Sequence, residues 1–160
     1  MHKLILISVV ATAVIVAGCG GSSDRTLTKN QVIARGTVIC KTAEKRVEKL
    51  PQLTVQHPFA KGTSAATHAT ARRFLAGYAD ALEYSRAGLS TLAAPKDGKQ
   101  LLDGYLTDLS RIVTQFRVAA KAPDAQVEGA AQKAFGMFDQ ASSQTKRYGF
   151  PKGVCASGSS

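Results

Sequence analysis

The chain has no apolar run long enough to cross a bilayer. Its longest, Leu4 to Ala17, covers fourteen residues and is almost unbroken aliphatic, whereas about twenty are needed to span a hydrocarbon core of roughly 30 Å. A permanent transmembrane helix is therefore not what this segment encodes. Acidic residues are scarce as well: 11 Asp and Glu stand against 21 Lys and Arg, for a formal net charge of +10. The basic residues are spread along the whole chain without a dense cluster, and no nucleic-acid-binding pattern accompanies them, which excludes nucleic acid as a partner. No stretch alternates as a strand would, and no fixed repeat period marks a solenoid. Histidine is rare too. His57 and His68 have no Glu-x-x-His or His-x-x-x-His companion that would point two ligands from one helix face, so neither a metal nor another cofactor is expected.

What is present begins at the amino end. A basic tip (Lys3, with His2), the apolar run and then small residues follow the order of a secretory signal. The string Val16-Ala17-Gly18-Cys19 sharpens this, because it resembles the bacterial lipobox: an aliphatic residue, two small residues, then cysteine. The resemblance implies that the bond between Gly18 and Cys19 is cut and that the Cys19 sulfur carries a diacylglyceryl group. Two acyl chains give stable anchoring where one gives only reversible binding. The expected location is thus the extracytoplasmic face of the cell membrane, with the membrane as a partner through the lipid on Cys19. Free secretion with an unmodified Cys19 is the alternative.

Removing residues 1–18 from 160 leaves 142, enough for one domain with a real core. Loss of Lys3 takes the formal charge from +10 to about +9. A basic surface held near a membrane is within reach of anionic envelope polymers or an envelope protein, although attraction fades within a Debye length of about 8–10 Å. With Cys19 assigned to lipid, Cys40 and Cys155 have only each other as intramolecular partners. A bridge between them closes a loop of over a hundred residues, which is worth up to about 4.7 kcal/mol on the chain-entropy account. Two separate buried thiols are the alternative.

Along the mature chain, Gly20 to Arg25 reads as a flexible spacer. Thr28 and Gln31 have capping-box spacing and Leu27 and Val32 hydrophobic-staple spacing, so a helix starts here. Its apolar positions are Val32, Gly36, Ile39, Ala43, Val47 and Leu50, with Cys40 beside that face, and Pro51 stops it. Residues 51–62 hold two prolines and no helical period, as a long crossing loop would. A second helix from about Ser64 carries Phe74, Tyr78, Leu82, Ser85, Leu89 and Leu92, with Tyr84 off the stripe. A third, with a capping-box-like start at Asp97 to Gln100, carries Leu101, Tyr105, Leu109, Ile112 and Phe116. The corner Ala122-Pro123-Asp124 places Pro123 at a first helical position. A fourth helix carries Val127, Ala131, Ala134, Phe138, Ala141 and Tyr148, with Phe135 alongside, and Gly149 caps it.

Four amphipathic helices of roughly 23–30 residues, two of them followed by very short turns, predict an all-α, antiparallel up-down-up-down four-helix bundle with one disulfide. In that topology Cys40 lies about 18 Å along the first helix from Thr28. The six residues from Gly149 to Cys155 cover about 20 Å when extended, so the tail can fold back and reach it. The expected organisation is a removed signal peptide at 1–18, a lipidated tether at 19–27, the bundle at 28–155 and a disordered tail at 156–160.

Leu27-Thr28-Lys29 leading to Val38-Ile39-Cys40-Lys41, with the closing Tyr148-Gly149 ahead of Cys155 and the lipobox with its Gly/Ser tether, resembles small helical lipoproteins of actinobacteria. That resemblance implies an envelope location, a helical fold and a bridge of this kind, and it supplies no activity. Catalysis finds little support in the residues. Ser143-Gln144-Thr145-Lys146 has the S-x-x-K spacing of penicillin-binding enzymes, but the S-D-N and K-T-G elements are absent and the chain is too short for that fold. Glycines 18, 20 and 21 belong to the processing site and spacer and make no phosphate loop. No catalytic residue is assigned. The aromatics on the stripes are expected in the core. The functional expectation is a non-enzymatic structural or interaction module on a lipid anchor, or else a lipid-tethered protein that binds a small ligand or an anionic polymer.

Overall fold

The computed structural model describes residues 26–155, which form four α-helices and no strand: α1 (Lys29–Val47), α2 (Ala65–Ser90), α3 (Lys96–Lys121) and α4 (Asp124–Tyr148). The expected signal segment, Gly18 and Cys19, the spacer and the 156–160 tail lie outside the described residues. Each helix packs antiparallel on the next, and the up-down-up-down bundle holds. At the start of α1 both halves of the capping box are made. Thr28 Oγ1 accepts from the Gln31 N–H at 3.3 Å, and Gln31 Oε1 accepts from the Thr28 N–H at 2.9 Å. Leu27, placed in the tether by sequence, already belongs to the fold: its N–H donates to the Ala93 carbonyl at 2.8 Å and its side chain packs on the core.

Three boundaries differ from expectation, each for a local reason. The first helix stops at Val47, at 19 residues. Its final turn tightens through Lys49 N–H to Arg46 O and Leu50 N–H to Val47 O, which turns Leu50 inward onto α2. A Cβ on Gly77 would overlap the Leu50 Cδ2. The third helix starts at Lys96, with Pro95 in the cap position and no side-chain cap. The proline φ is preset for a chain entering a helix, so Asp97 lies inside the first turn, where its charge suits the helix dipole. Pro123 likewise caps α4 from outside, and Asp124 is its first residue.

The core is built as the stripes require. Val32, Leu89, Leu109, Ile112, Phe116, Val127 and Ala134 are fully enclosed; burying an aliphatic or aromatic side chain of this size stabilises by about 1.5–3 kcal/mol. Tyr78 lies at the centre of an aromatic cluster, 4.8 Å from the Phe116 ring, 5.4 Å from Phe135 and 6.4 Å from Phe138, mostly in the tilted and edge-on arrangements that aromatic quadrupoles favour. Leu75 and Leu102 take buried places that the stripes gave to Phe74 and Leu101, which are only partly covered.

The carboxyl end is the least regular part and ties the bundle together. Gly149 adopts φ 109°, and its N–H donates to Lys146 O while the Phe150 N–H donates to Thr145 O, the paired bonds of a glycine-terminated helix. The chain then turns back along α1. Phe150 enters a notch at Gly36, where a Cβ would come within 2.6 Å of the ring. Cys155 reaches Cys40 with a Cα separation of 5.0 Å, forming the expected disulfide. The Tyr105 hydroxyl, from α3, donates to the Cys155 carbonyl in the buried interior. The tail is thus a wedge in the seam between α1 and α4. Replacing both cysteines by alanine should lower the unfolding free energy by about 2–5 kcal/mol in chemical denaturation, as for native bridges in small domains. An unchanged midpoint would show that the wedge holds by packing alone.

Candidate functional site

Because the tail fills the α1–α4 seam only as far as Cys40, the seam stays open below it. α1 is also shorter than its neighbours: 19 residues against 25 or 26 make it about 28 Å long where they are about 38 Å. The result is a cleft of about 370 Å³ beside the disulfide. Ala43, Glu44, Val47 and Glu48 of α1 form one lip, and Ala81, Leu82 and Ser85 of α2 the other wall. Tyr78, Tyr105 and Phe138 form the floor, and Cys40 and Cys155 close the upper end.

The cleft is apolar inside and acidic at one edge. Glu44 and Glu48 stand four residues apart and so share one face of α1, while Ser85 is a buried hydroxyl on the opposite wall. Burial, with Asp139 adding, pushes the Tyr78 hydroxyl up to about 12. Burial also raises that of Tyr105, with Tyr78 contributing. Both phenols are therefore neutral hydrogen-bonding groups at physiological pH and neither is a ready base. The two cysteines are joined. This lining can hold a molecule.

A second cavity of about 320 Å³ lies where the 51–63 loop replaces the missing length of α1. Leu53, His57 and Phe59 cover Phe74, Leu75 and Phe135 there. Both histidines fasten this loop. His57 Nδ1 lies 3.4 Å from Glu128 Oε2, and Glu128 Oε1 also accepts from the Phe59 N–H. His68 is only partly exposed: Nε2 is 2.6 Å from Thr63 Oγ1 and Nδ1 is 2.9 Å from Asp124 Oδ2. Arg72 adds a bond to Asp124 at 2.6 Å and bonds to the carbonyls of Ala120 and Ala122, so one guanidinium closes the end of α3 onto the start of α4. A carboxylate on the far helix is what turned each histidine from a surface group into a clasp.

The other positions singled out in the sequence do not join a site. Ser143 and Lys146 are exposed, and the Ser143 hydroxyl donates to Gln140 O at 2.8 Å. Tyr84 covers α1, with the Arg46 guanidinium 3.9 Å above its ring. Among the described residues no three His, Cys, Asp or Glu side chains converge as metal ligands would. The lip formed by Glu44 and Glu48 has a signature in the sequence, an i, i+4 spacing beside the apolar stripe.

Arg72 and His68 hold the Asp124 carboxyl below the usual carboxylate range, the Arg72 hydrogen bond being the largest cause. Its charged form is thus favoured by folding, and that stabilisation is present above the unfolded value of about 4 and lost as pH falls through the lower folded one. Thermal melts of wild type and Asp124→Asn should differ most near neutrality and converge below about pH 4; a pH-independent gap would assign the effect to lost geometry instead of charge. In comparison with known proteins, no family model, no curated protein and no solved structure matches this chain.

Proposed function

We propose that this chain is an envelope lipoprotein, held at the extracytoplasmic face of the cell membrane by lipid on Cys19, whose bundle works by binding and not by catalysis. The cleft beside the disulfide carries this reading. It has the few hundred Å³, the apolar walls and the few convergent polar groups typical of small-molecule sites. Its ligand is a small, largely apolar molecule that rests on the aromatic floor, with Glu48 at the rim. No helix among the described residues is long and apolar enough to cross a membrane, so the lipid on Cys19 is the attachment that this reading requires.

Two measurements test the two halves. An apolar fluorescent dye should bind the mature protein, and filling the cleft with Ala81→Leu and Ala43→Leu should abolish uptake while the helical circular dichroism stays unchanged. Undiminished uptake in the filled variant would remove the cleft as the site. For the anchor, Cys19→Ala should release the protein from membranes or leave it unprocessed. A variant that loses its signal yet still fractionates with membranes would end the lipoprotein reading.

A further inference from the structure

Part of the excess positive charge gathers at one end of the folded molecule. At the end where the chain enters α1, five exposed cations come together from segments far apart in sequence: Lys29, Lys96, Lys146, Arg147 and Lys152. Contacts fix their neighbourhood. Lys29 Nζ lies 5.7 Å from the Tyr148 ring centroid, and its Cε would be 3.8 Å from a Cβ on Gly149. The same Tyr148 ring packs on Gly98 in the first turn of α3, within 2.7 Å of where a Cβ would sit. Lys96 is therefore just before that contact, Lys146 and Arg147 just before Tyr148, and Lys152 just after the Gly149 turn.

Two acids stand near this end, against five cations. Asp103 is taken by Lys99 at 2.5 Å, and Asp97 stands in the first turn of α3. Elsewhere several cations are paired. Glu83 pairs with Arg86, Asp80 with Arg117 and Asp108 with Arg111 along the helix faces. At the opposite end Arg72, His68 and His57 are engaged by Asp124 and Glu128; Lys45, Lys49, Lys61 and Lys121 are exposed towards that end as well, but they lie far from where the tether joins.

The tether leaves from the basic end. The Leu27 N–H bond to Ala93 fixes where the chain joins the bundle, and the eight residues from Cys19 to Thr26 reach at most about 26 Å when extended. Lipid on Cys19 would hold these cations within a few Debye lengths of the head groups, where each Lys or Arg adds attraction to an anionic surface. We propose that this end docks on anionic phospholipid, so that the bundle stands upright on the membrane. The inference rests on the lipid tether proposed above. It also positions the cleft: Cys40 lies about 18 Å along α1 from Thr28, which leaves the cleft opening sideways, clear of the head groups.

The unlipidated mature chain carrying Cys19→Ser separates docking from acylation, since it has no anchor to lose; the fractionation of Cys19→Ala reports on the anchor alone. In sedimentation it should bind vesicles containing phosphatidylglycerol, ignore vesicles of phosphatidylcholine, and release as salt is raised. Reversing the end with Lys29→Glu, Lys96→Glu and Lys152→Glu should weaken binding by more than about tenfold. A matched reversal on the flank of α1, Lys41→Glu, Lys45→Glu and Lys49→Glu, should weaken it by less than about threefold. Circular dichroism of both variants checks that the fold is kept. Equal losses in the two variants, equal binding to phosphatidylcholine, or tighter capture by soluble polyglycerol phosphate than by vesicles would each overturn the proposal, the last in favour of a wall polymer.

Discussion

The bridge between Cys40 and Cys155 is the constraint from which the rest of the architecture follows. A tail of six residues has to leave a helix end, turn through Gly149 and lie in the seam between the first and last helices before its sulfur can reach α1. It fits because Gly36 offers no side chain where Phe150 must enter, and because Tyr105 satisfies the Cys155 carbonyl that would otherwise be buried without a partner. An unmet buried carbonyl would cost about 1–3 kcal/mol. Tail, notch and phenol therefore act as one unit.

That unit also decides the shape of the cleft. In a bundle whose first and last helices touch along their full length, the seam between them is closed by side chains. Here the wedge props it open at Cys40, and α1 ends before it could close the lower part. The loop that follows covers what remains and is fastened by His57 and His68 to carboxylates of α4. The aromatic cluster around Tyr78 serves both sides: it is core for α3 and α4 and floor for the cleft. Packing and pocket are made from the same rings, so the pocket needs no loss of core elsewhere.

The two ends of the bundle differ in chemistry. At one, Arg72, His68 and His57 are used in contacts that close helix to helix and loop to helix. At the other, cations from α1, α3, α4 and the tail stand in solvent, and even the ring they surround is specialised. Tyr148 is almost wholly enclosed and its hydroxyl has no partner among the described residues, while burial and the nearby Asp97 both raise its pKa. A buried hydroxyl of this kind is tolerated where packing of the ring contributes more than its polar tip loses.

The sequence by itself determined what local chemistry and periodicity can specify: four helices, the Thr28 to Gln31 capping box, the Gly149 stop and, by counting cysteines, the pairing of Cys40 with Cys155. These follow from spacing along the chain, and helical periods carry that information directly. It placed the end of α1 too late because Pro51 marks only the last possible stop, while the true end is set by Leu50 turning onto Gly77. It could not show that His57 and His68 clasp the loop, since their partners Glu128 and Asp124 lie more than fifty residues away. The cleft and the basic end belong to the tertiary structure alone. Each is made by residues from several helices brought together in space, and no spacing within one segment encodes that meeting.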